Sequence, residues 1–271
     1  MPVFRAPRDR AIAVFDSGVG GLTVLAALRR RMPREELVYL GDTARVPYGT
    51  RSPQVITRYA MNNARFLGSF DPKLLVVACN TVSAVALPAL SAALSVPVLG
   101  VVEPGAAAAA RVQRGHVGVI GTSGTVRSGA YQAALARLCP GARVSAAACP
   151  LFVPLAEEGW TEGDVPREAA HRYLDGLVAA GIDTLLLGCT HYPLLRGPIA
   201  AAAGPGVQLV DSADSTAEAA AALIRERGVA RETEGAGSER LFVTDLAEGF
   251  GPLARAFLGR PAPEPVVVDI S

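Results

Sequence analysis

The stretch TLLLGCTHYPLL, residues 184–195, runs three leucines and a glycine into Cys189, then sets Thr190 and His191 directly after the thiol. A short apolar run without alternation suits a strand buried on both faces, as in a parallel sheet. Such a strand delivers whatever follows it to the carboxyl edge of the sheet, where ligand groups gather in open α/β folds. The pattern occurs a second time. KLLVVACNTVSA, residues 73–84, leads through apolar residues to Cys79, Asn80 and Thr81. The two stretches form a weak internal repeat, and each ends in a thiol flanked by small polar groups.

Around them, short apolar runs alternate with helix-like segments. Strands are expected over 11–15, 37–41, 74–78, 96–101, 117–121, 143–148, 184–188, 207–210 and 241–244. Helices are expected near 20–31, 53–68, 82–93, 126–138, 166–180, 214–227 and 246–257, with the alanine run at 106–110 a further helix former. The alternation implies α/β units. Two smaller sheets suit the length better than one sheet of nine strands. EPGAAAAARV at 103–112 and DSADS at 211–215 are the candidate crossing points, and PAPEPVVVDIS near the end reads as an edge strand after a proline-rich link. Polar residues stand at the strand ends: Asp16 and Ser17, Asp42, Cys79 to Thr81, Thr122, and Cys189 to His191. Two domains facing each other by these ends would enclose a small polar site. Each residue taken singly could equally cap the helix that follows.

Composition narrows the function classes. Half of the 271 residues are apolar, 19% are charged and the formal net charge is +1, so a large core is expected and nucleic acid is not the expected partner. The first residues lack a signal peptide's apolar core, and no apolar run approaches the roughly 20 residues of a membrane span. We therefore expect a cytoplasmic protein. The four cysteines, 79, 139, 149 and 189, match no zinc or redox spacing and are expected as thiols. The three histidines, 116, 171 and 191, show no ligand spacing, so no metal is expected.

A thiol at a strand-to-helix turn faces a partial positive charge that favours the thiolate, and its pKa of roughly 8.5 lets it act as acid or base near neutrality. A lone thiol there would read as a nucleophile or core filler. Two equivalent thiols suit a symmetrical reaction, in which a proton leaves one face of a carbon and another arrives on the opposite face. Many enzymes ease that step with a lysine-held pyridoxal cofactor. The only lysine here, Lys73, lies six residues before Cys79, roughly 20 Å away along an extended strand, so a cofactor shared with Cys79 is not expected.

The motifs DSGVGG (16–21), GDTARVPYG (41–49), ACNT (78–81), GTSGTVRSGAY (121–131), PLFVPLAEEG (150–159) and LGCTHYPLL (187–195) resemble the glutamate racemases of the aspartate/glutamate racemase family in order and spacing. The resemblance implies a cofactor-independent isomerase that interconverts L- and D-glutamate and supplies D-glutamate for peptidoglycan. It implies two similar three-layer α/β domains with mostly parallel sheets and the active site in the cleft between them. The first domain would comprise 1–103 plus 213–271, and the second 104–212. Cys79 and Cys189 would act on opposite faces of the substrate. Asp16 would assist Cys79; His191 and Glu157 would assist Cys189, with Glu158 the competing carboxylate. Asp16, Ser17, Pro47, Tyr48, Gly49, Asn80, Thr81, Thr122, Thr125, Thr190 and His191 would hold the substrate. A homodimer and a peptidoglycan-precursor effector come with the resemblance, and some relatives bind DNA gyrase, which nothing in this sequence signals. The alternatives are a racemase for aspartate or another amino acid, and a hydrolase or decarboxylase using one cysteine.

Other features read as structural. DSGVGG lacks the later glycine of a dinucleotide fingerprint. Cys139, Cys149, His116 and His171 read as packing or surface residues.

Overall fold

The computed structural model of the protein describes residues 6–246 and 248–270. Among these, ten strands form two sheets. They are β1 (Ile12–Asp16), β2 (Leu37–Gly41), β3 (Leu74–Val77), β4 (Val98–Gly100), β5 (His116–Gly121), β6 (Arg143–Ala148), β7 (Thr184–Gly188), β8 (Gln208–Asp211), β9 (Glu239–Val243) and β10 (Val266–Val267). The first sheet has the order β10-β9-β2-β1-β3-β4 and the second β6-β5-β7-β8. Every pairing is parallel.

The unalternating apolar runs are the central strands. β1, β2, β3, β5 and β7 are buried along their whole length, because helices cover both faces. In β1, Ile12 and Val14 face one core with the helices Leu22–Arg31, Ala213–Glu226 and Phe250–Leu258; Ala13 and Phe15 face another under the helix Pro53–Gly68. The second sheet is sandwiched likewise. Leu185 and Leu187 of β7 pack toward the helices Asp164–Ala179 and Arg196–Ala203, and Leu186 packs toward Val102–Val112 and Ala130–Leu138. All nine expected strands are present, and the expected edge strand near the end is β10.

The helices differ in detail. The segment expected as one helix over 82–93 is two, Asn80–Val85 and Leu87–Ala93, with Pro88 in the first turn of the second. The segment over 126–138 is also two, Ser123–Ser128 and Ala130–Leu138, divided by Gly129 at φ +68°. The last helix starts at Phe250; the expected start at 246 runs through Ala247, outside the described residues. Two helices, Phe152–Glu157 and Arg196–Ala203, were not expected. Each is short and holds a proline in its first turns, which masks the helical pattern in the sequence.

No helix among the described residues is long and apolar enough to cross a membrane.

Candidate active site

Parallel strands place all their carboxyl ends on one side of a sheet. Here the two sheets turn those ends toward a shared cavity of about 300 Å³, the small end of the range for ligand sites. Cys79, after β3, and Cys189, after β7, both line it, at 5% and 7% exposure. Among the described residues all four cysteines are free thiols.

On the Cys79 side the partners are oxygen groups. Cys79 Sγ lies 3.4 Å from the Ser17 hydroxyl. Asp16, at the end of β1, is buried, and its Oδ2 accepts from the Gly18 N–H at 3.0 Å. Its Oδ1 has no partner among the described residues. Burial raises the Asp16 pKa, against the pull of His191 and of the N–H groups of Gly21, Gly18 and Ser17. Burial also pushes the Cys79 thiol up to about 12, and the Asp16 charge pushes the same way; the Ser17 hydroxyl and the Val82 N–H oppose them. The thiolate expected from the helix end is therefore not the resting form of Cys79. The helix behind it has only six residues, and desolvation outweighs its partial charge.

On the Cys189 side the partner is an imidazole. His191 Nδ1 stands 3.9 Å from Cys189 Sγ and 3.4 Å from the Thr190 hydroxyl. Its Nε2 meets Glu157 Oε1 at 2.9 Å, so the glutamate behind the histidine is Glu157. Burial works against a charged His191, but the bond to Cys189 and the Glu157 carboxylate outweigh it and hold its pKa up to about 10. The imidazolium thus stands beside the sulfur that would carry negative charge.

The halves meet along a seam of hydroxyls and glycines. Thr81 Oγ1 lies 2.9 Å from Thr122 Oγ1 and 3.2 Å from Thr125 Oγ1. A Cβ on Gly20 would fall 2.3 Å from Thr190 Oγ1 and 2.5 Å from His191 Nδ1, so only glycine lets the loop after β1 approach the second half. Gly49 makes the same allowance for Thr122, whose Cβ would lie 2.8 Å from an added Cβ. The Phe257 ring meets His191 edge-on at 5.1 Å between centroids.

Ser17, Pro47, Tyr48, Gly49, Asn80, Thr81, Thr122, Glu157, Thr190 and His191 line the cavity with the two cysteines. Asp16 and Thr125 stand behind that wall and reach it through Cys79 and through Thr81 and Thr122. The Tyr48 hydroxyl points away from a ligand: it donates to Asp42, which also takes Arg45 Nε at 2.8 Å and the Thr244 hydroxyl at 2.9 Å. Tyr48 opens the short helix Tyr48–Thr50, whose first N–H groups lack partners within the helix. Gly18, Thr50, Ser123 and Pro150 line it as well, and so does an apolar trio, Val46, Val153 and Pro154; all seven were missed from the sequence. The exposed Val46 stands out there only as an apolar residue between Arg45 and Pro47, and the other two of the trio lie on an unexpected helix.

Lys73 is bound at the far end of β3. Its ammonium donates to the carbonyls of Arg8 and Val229, at 2.8 and 2.9 Å, and pairs with Glu35. Cys139 ends the helix Ala130–Leu138, and Cys149 is buried after β6 with its thiol pushed up by burial. His171 is exposed; His116 is buried, with its ring nitrogens on the Ala180 carbonyl and the Ser145 hydroxyl.

Comparison with known proteins places these features in context. The sequence pattern of the Asp/Glu/Hydantoin racemase family matches residues 22–220. A glutamate racemase of Geobacter metallireducens is 55% identical over 251 residues, covering 92% of this chain and 93% of that protein. The crystal structure of glutamate racemase from Francisella tularensis in complex with D-glutamate is 34% identical with a TM-score of 0.92, covering 97% and 98% of the two chains. The Escherichia coli glutamate racemase, crystallised with L-glutamate and the activator UDP-MurNAc-Ala, is 31% identical with a TM-score of 0.76, covering 92% of this chain and 95% of that one.

Proposed function

The chain belongs to the Asp/Glu/Hydantoin racemase family, and from that premise we propose that it interconverts L- and D-glutamate by carrying the α-proton between two cysteine sulfurs. The observation that carries the proposal is positional. Cys79 and Cys189 leave equivalent strands of two like-ordered sheets and line one small cavity from its two halves.

In this scheme one sulfur, as thiolate, takes the proton from one face of the α-carbon. The other, as thiol, gives a proton to the opposite face, so charge and hydrogen balance and the centre is inverted. The neighbours of the two sulfurs suit opposite roles. Cys79 is a thiol of high pKa: it holds its proton until needed and is a strong base once that proton has passed to Asp16. The His191 imidazolium supports negative charge on Cys189 and is itself held by Glu157. When the proton is taken by Cys79, His191 can return one through Cys189; the reverse reaction runs the same relay backwards.

Substrate binding needs no arginine or lysine. The hydroxyls of Ser17, Thr81, Thr122 and Thr190, with the first backbone N–H groups of the turns at Tyr48 and Asn80, suit carboxylates. Asn80 Oδ1, buried and without a partner among the described residues, suits the α-ammonium. Lys73, engaged at the far end of β3, is in no position to hold a carbonyl cofactor beside Cys79. The product suits peptidoglycan synthesis in the cytoplasm, and the activator in the E. coli structure makes a peptidoglycan precursor the effector class to try.

Initial rates on L-glutamate, D-glutamate and both aspartates, followed by circular dichroism without added cofactor, test the assignment. Turnover of both glutamates with aspartate at least a hundredfold slower is expected. Faster turnover of aspartate would reassign the substrate.

A further inference from the structure

The proton-transfer scheme leaves unexplained a phenol lodged between the two cysteine turns. Tyr131, in the helix Ala130–Leu138, is fully buried. Its hydroxyl accepts from Asn80 Nδ2 at 3.1 Å, and Asn80 directly follows Cys79. Its ring lies against Gly188, which directly precedes Cys189. A Cβ at residue 188 would come within 3.0 Å of Tyr131 Cε2 and 2.7 Å of the Ile120 carbonyl oxygen. On a further side, a Cβ at Gly105 would sit 3.3 Å from the Tyr131 hydroxyl and 3.1 Å from Ser212 Cβ. One rigid ring thus touches the segment leaving β7 and bonds the residue leaving β3, in a slot that two glycines keep open.

Asn80 shows what the bond does. A side-chain amide has a donor end and an acceptor end. Tyr131 takes the donor end, which leaves the buried Oδ1 as the end without a protein partner among the described residues. Burial also raises the phenol's pKa, so Tyr131 stays neutral and takes no part in the proton relay.

We propose that Tyr131 is a positioning residue shared by both cysteine turns: its ring spaces the Cys189 turn, and its hydroxyl fixes the Asn80 amide with the carbonyl oxygen toward the substrate ammonium. This rests on the glutamate racemase reading above. It assigns the hydroxyl to recognition of the ammonium and the ring to the alignment of the sulfurs.

Tyr131→Phe keeps the ring and removes the hydroxyl. KM for both glutamate enantiomers should rise about tenfold, with kcat within about twofold of wild type. Competitive inhibition by glutarate, the same diacid without the ammonium, should change by less than about twofold. In an Asn80→Ala background the same substitution should alter glutamate affinity no further, measured by calorimetry. Equal weakening of glutamate and glutarate, no weakening of either, or additive effects in the double variant would overturn the proposal. A wild-type protein that racemises no glutamate would instead overturn the functional reading beneath it. Tyr131→Leu, which also removes the ring, should lower kcat at least tenfold; unchanged kcat in a folded variant would contradict the spacing role.

Discussion

The two halves of the molecule share a scaffold and differ in what they set behind the sulfur. Without β9 and β10, the first sheet reads β2-β1-β3-β4 and the second β6-β5-β7-β8, the same order in each half. In each, the strand that ends in cysteine pairs with the first strand of its half. Behind Cys79 stand a buried carboxylate and a hydroxyl, whereas Cys189 has an imidazole braced by a carboxylate. The repeated strands fix where the sulfurs are, and the unlike neighbours give each sulfur a different partner for its proton. A reaction between mirror-image substrates is thus served by a site that is symmetrical in placement and asymmetrical in chemistry.

Substitutions can break this comparison at several strengths. Cys79→Ser and Cys189→Ser should each lower kcat/KM by about 10²–10⁴-fold, the range for losing a general acid or base. A large loss for only one of them would end the equivalence of the halves. Asp16→Asn and His191→Gln should each cost about 10²-fold. Because the enantiomers are equal in free energy, kcat/KM must fall equally in both directions. The asymmetry should appear instead in the isotope effect of α-deuterated substrate, which Asp16→Asn should raise in one direction and His191→Gln in the other.

A pH series sharpens the contrast. The His191 pKa lies near 10 in the fold against 6.5 as the ordinary value, so its charged form stabilises the fold fully below pH 6.5, and that contribution is lost as pH rises through about 10. Glu157→Gln removes one of the groups that raise this pKa. Thermal melts should show its alkaline decline beginning at lower pH than in wild type, and the alkaline limb of kcat should move the same way. Asp16→Asn should move that limb less, since Asp16 acts on His191 only by its charge and makes no hydrogen bond to the ring as Glu157 does.

The smallest effects lie on the seam. Gly20→Ala should cost about 1–3 kcal/mol through overpacking against Thr190 and His191, read from denaturant midpoints. Thr81→Val, which breaks the hydroxyl contacts to Thr122 and Thr125, should cost about 0.5–1.5 kcal/mol. A larger loss for Thr81→Val than for Gly20→Ala would mean the halves are held by hydroxyls rather than by close approach.

Much of the scaffold was legible because central parallel strands are buried on both faces. TLLLG and LLVV have nowhere else to go, and the residues just after each, up to Cys189 and Cys79, are carried to the carboxyl edge. The strand-end residues followed from the same logic. Glu157 was harder to place, since its helix holds Pro154 and spans six residues, so no period marks it. The Tyr48 hydroxyl could not be assigned locally, because Asp42 reaches it only once the loop after β2 folds back. Tyr131 closes the motif GTSGTVRSGAY (121–131), but nothing local marks its role. Its neighbours Asn80, Gly105, Gly188 and Ser212 come from four separate segments, and only tertiary packing brings them to one ring. The proton affinity of Cys79 was misjudged for the same reason: the sequence displays the helix end but not the depth of burial.

The most direct measurement follows racemisation of L-glutamate in heavy water and records deuterium at the α-carbon of both enantiomers at early times. With one sulfur on each face, the D-glutamate formed should carry solvent deuterium while the remaining L-glutamate stays almost unlabelled. Deuterium entering both enantiomers at equal early rates would mean that a single group serves both faces, and would contradict the paired-thiol mechanism.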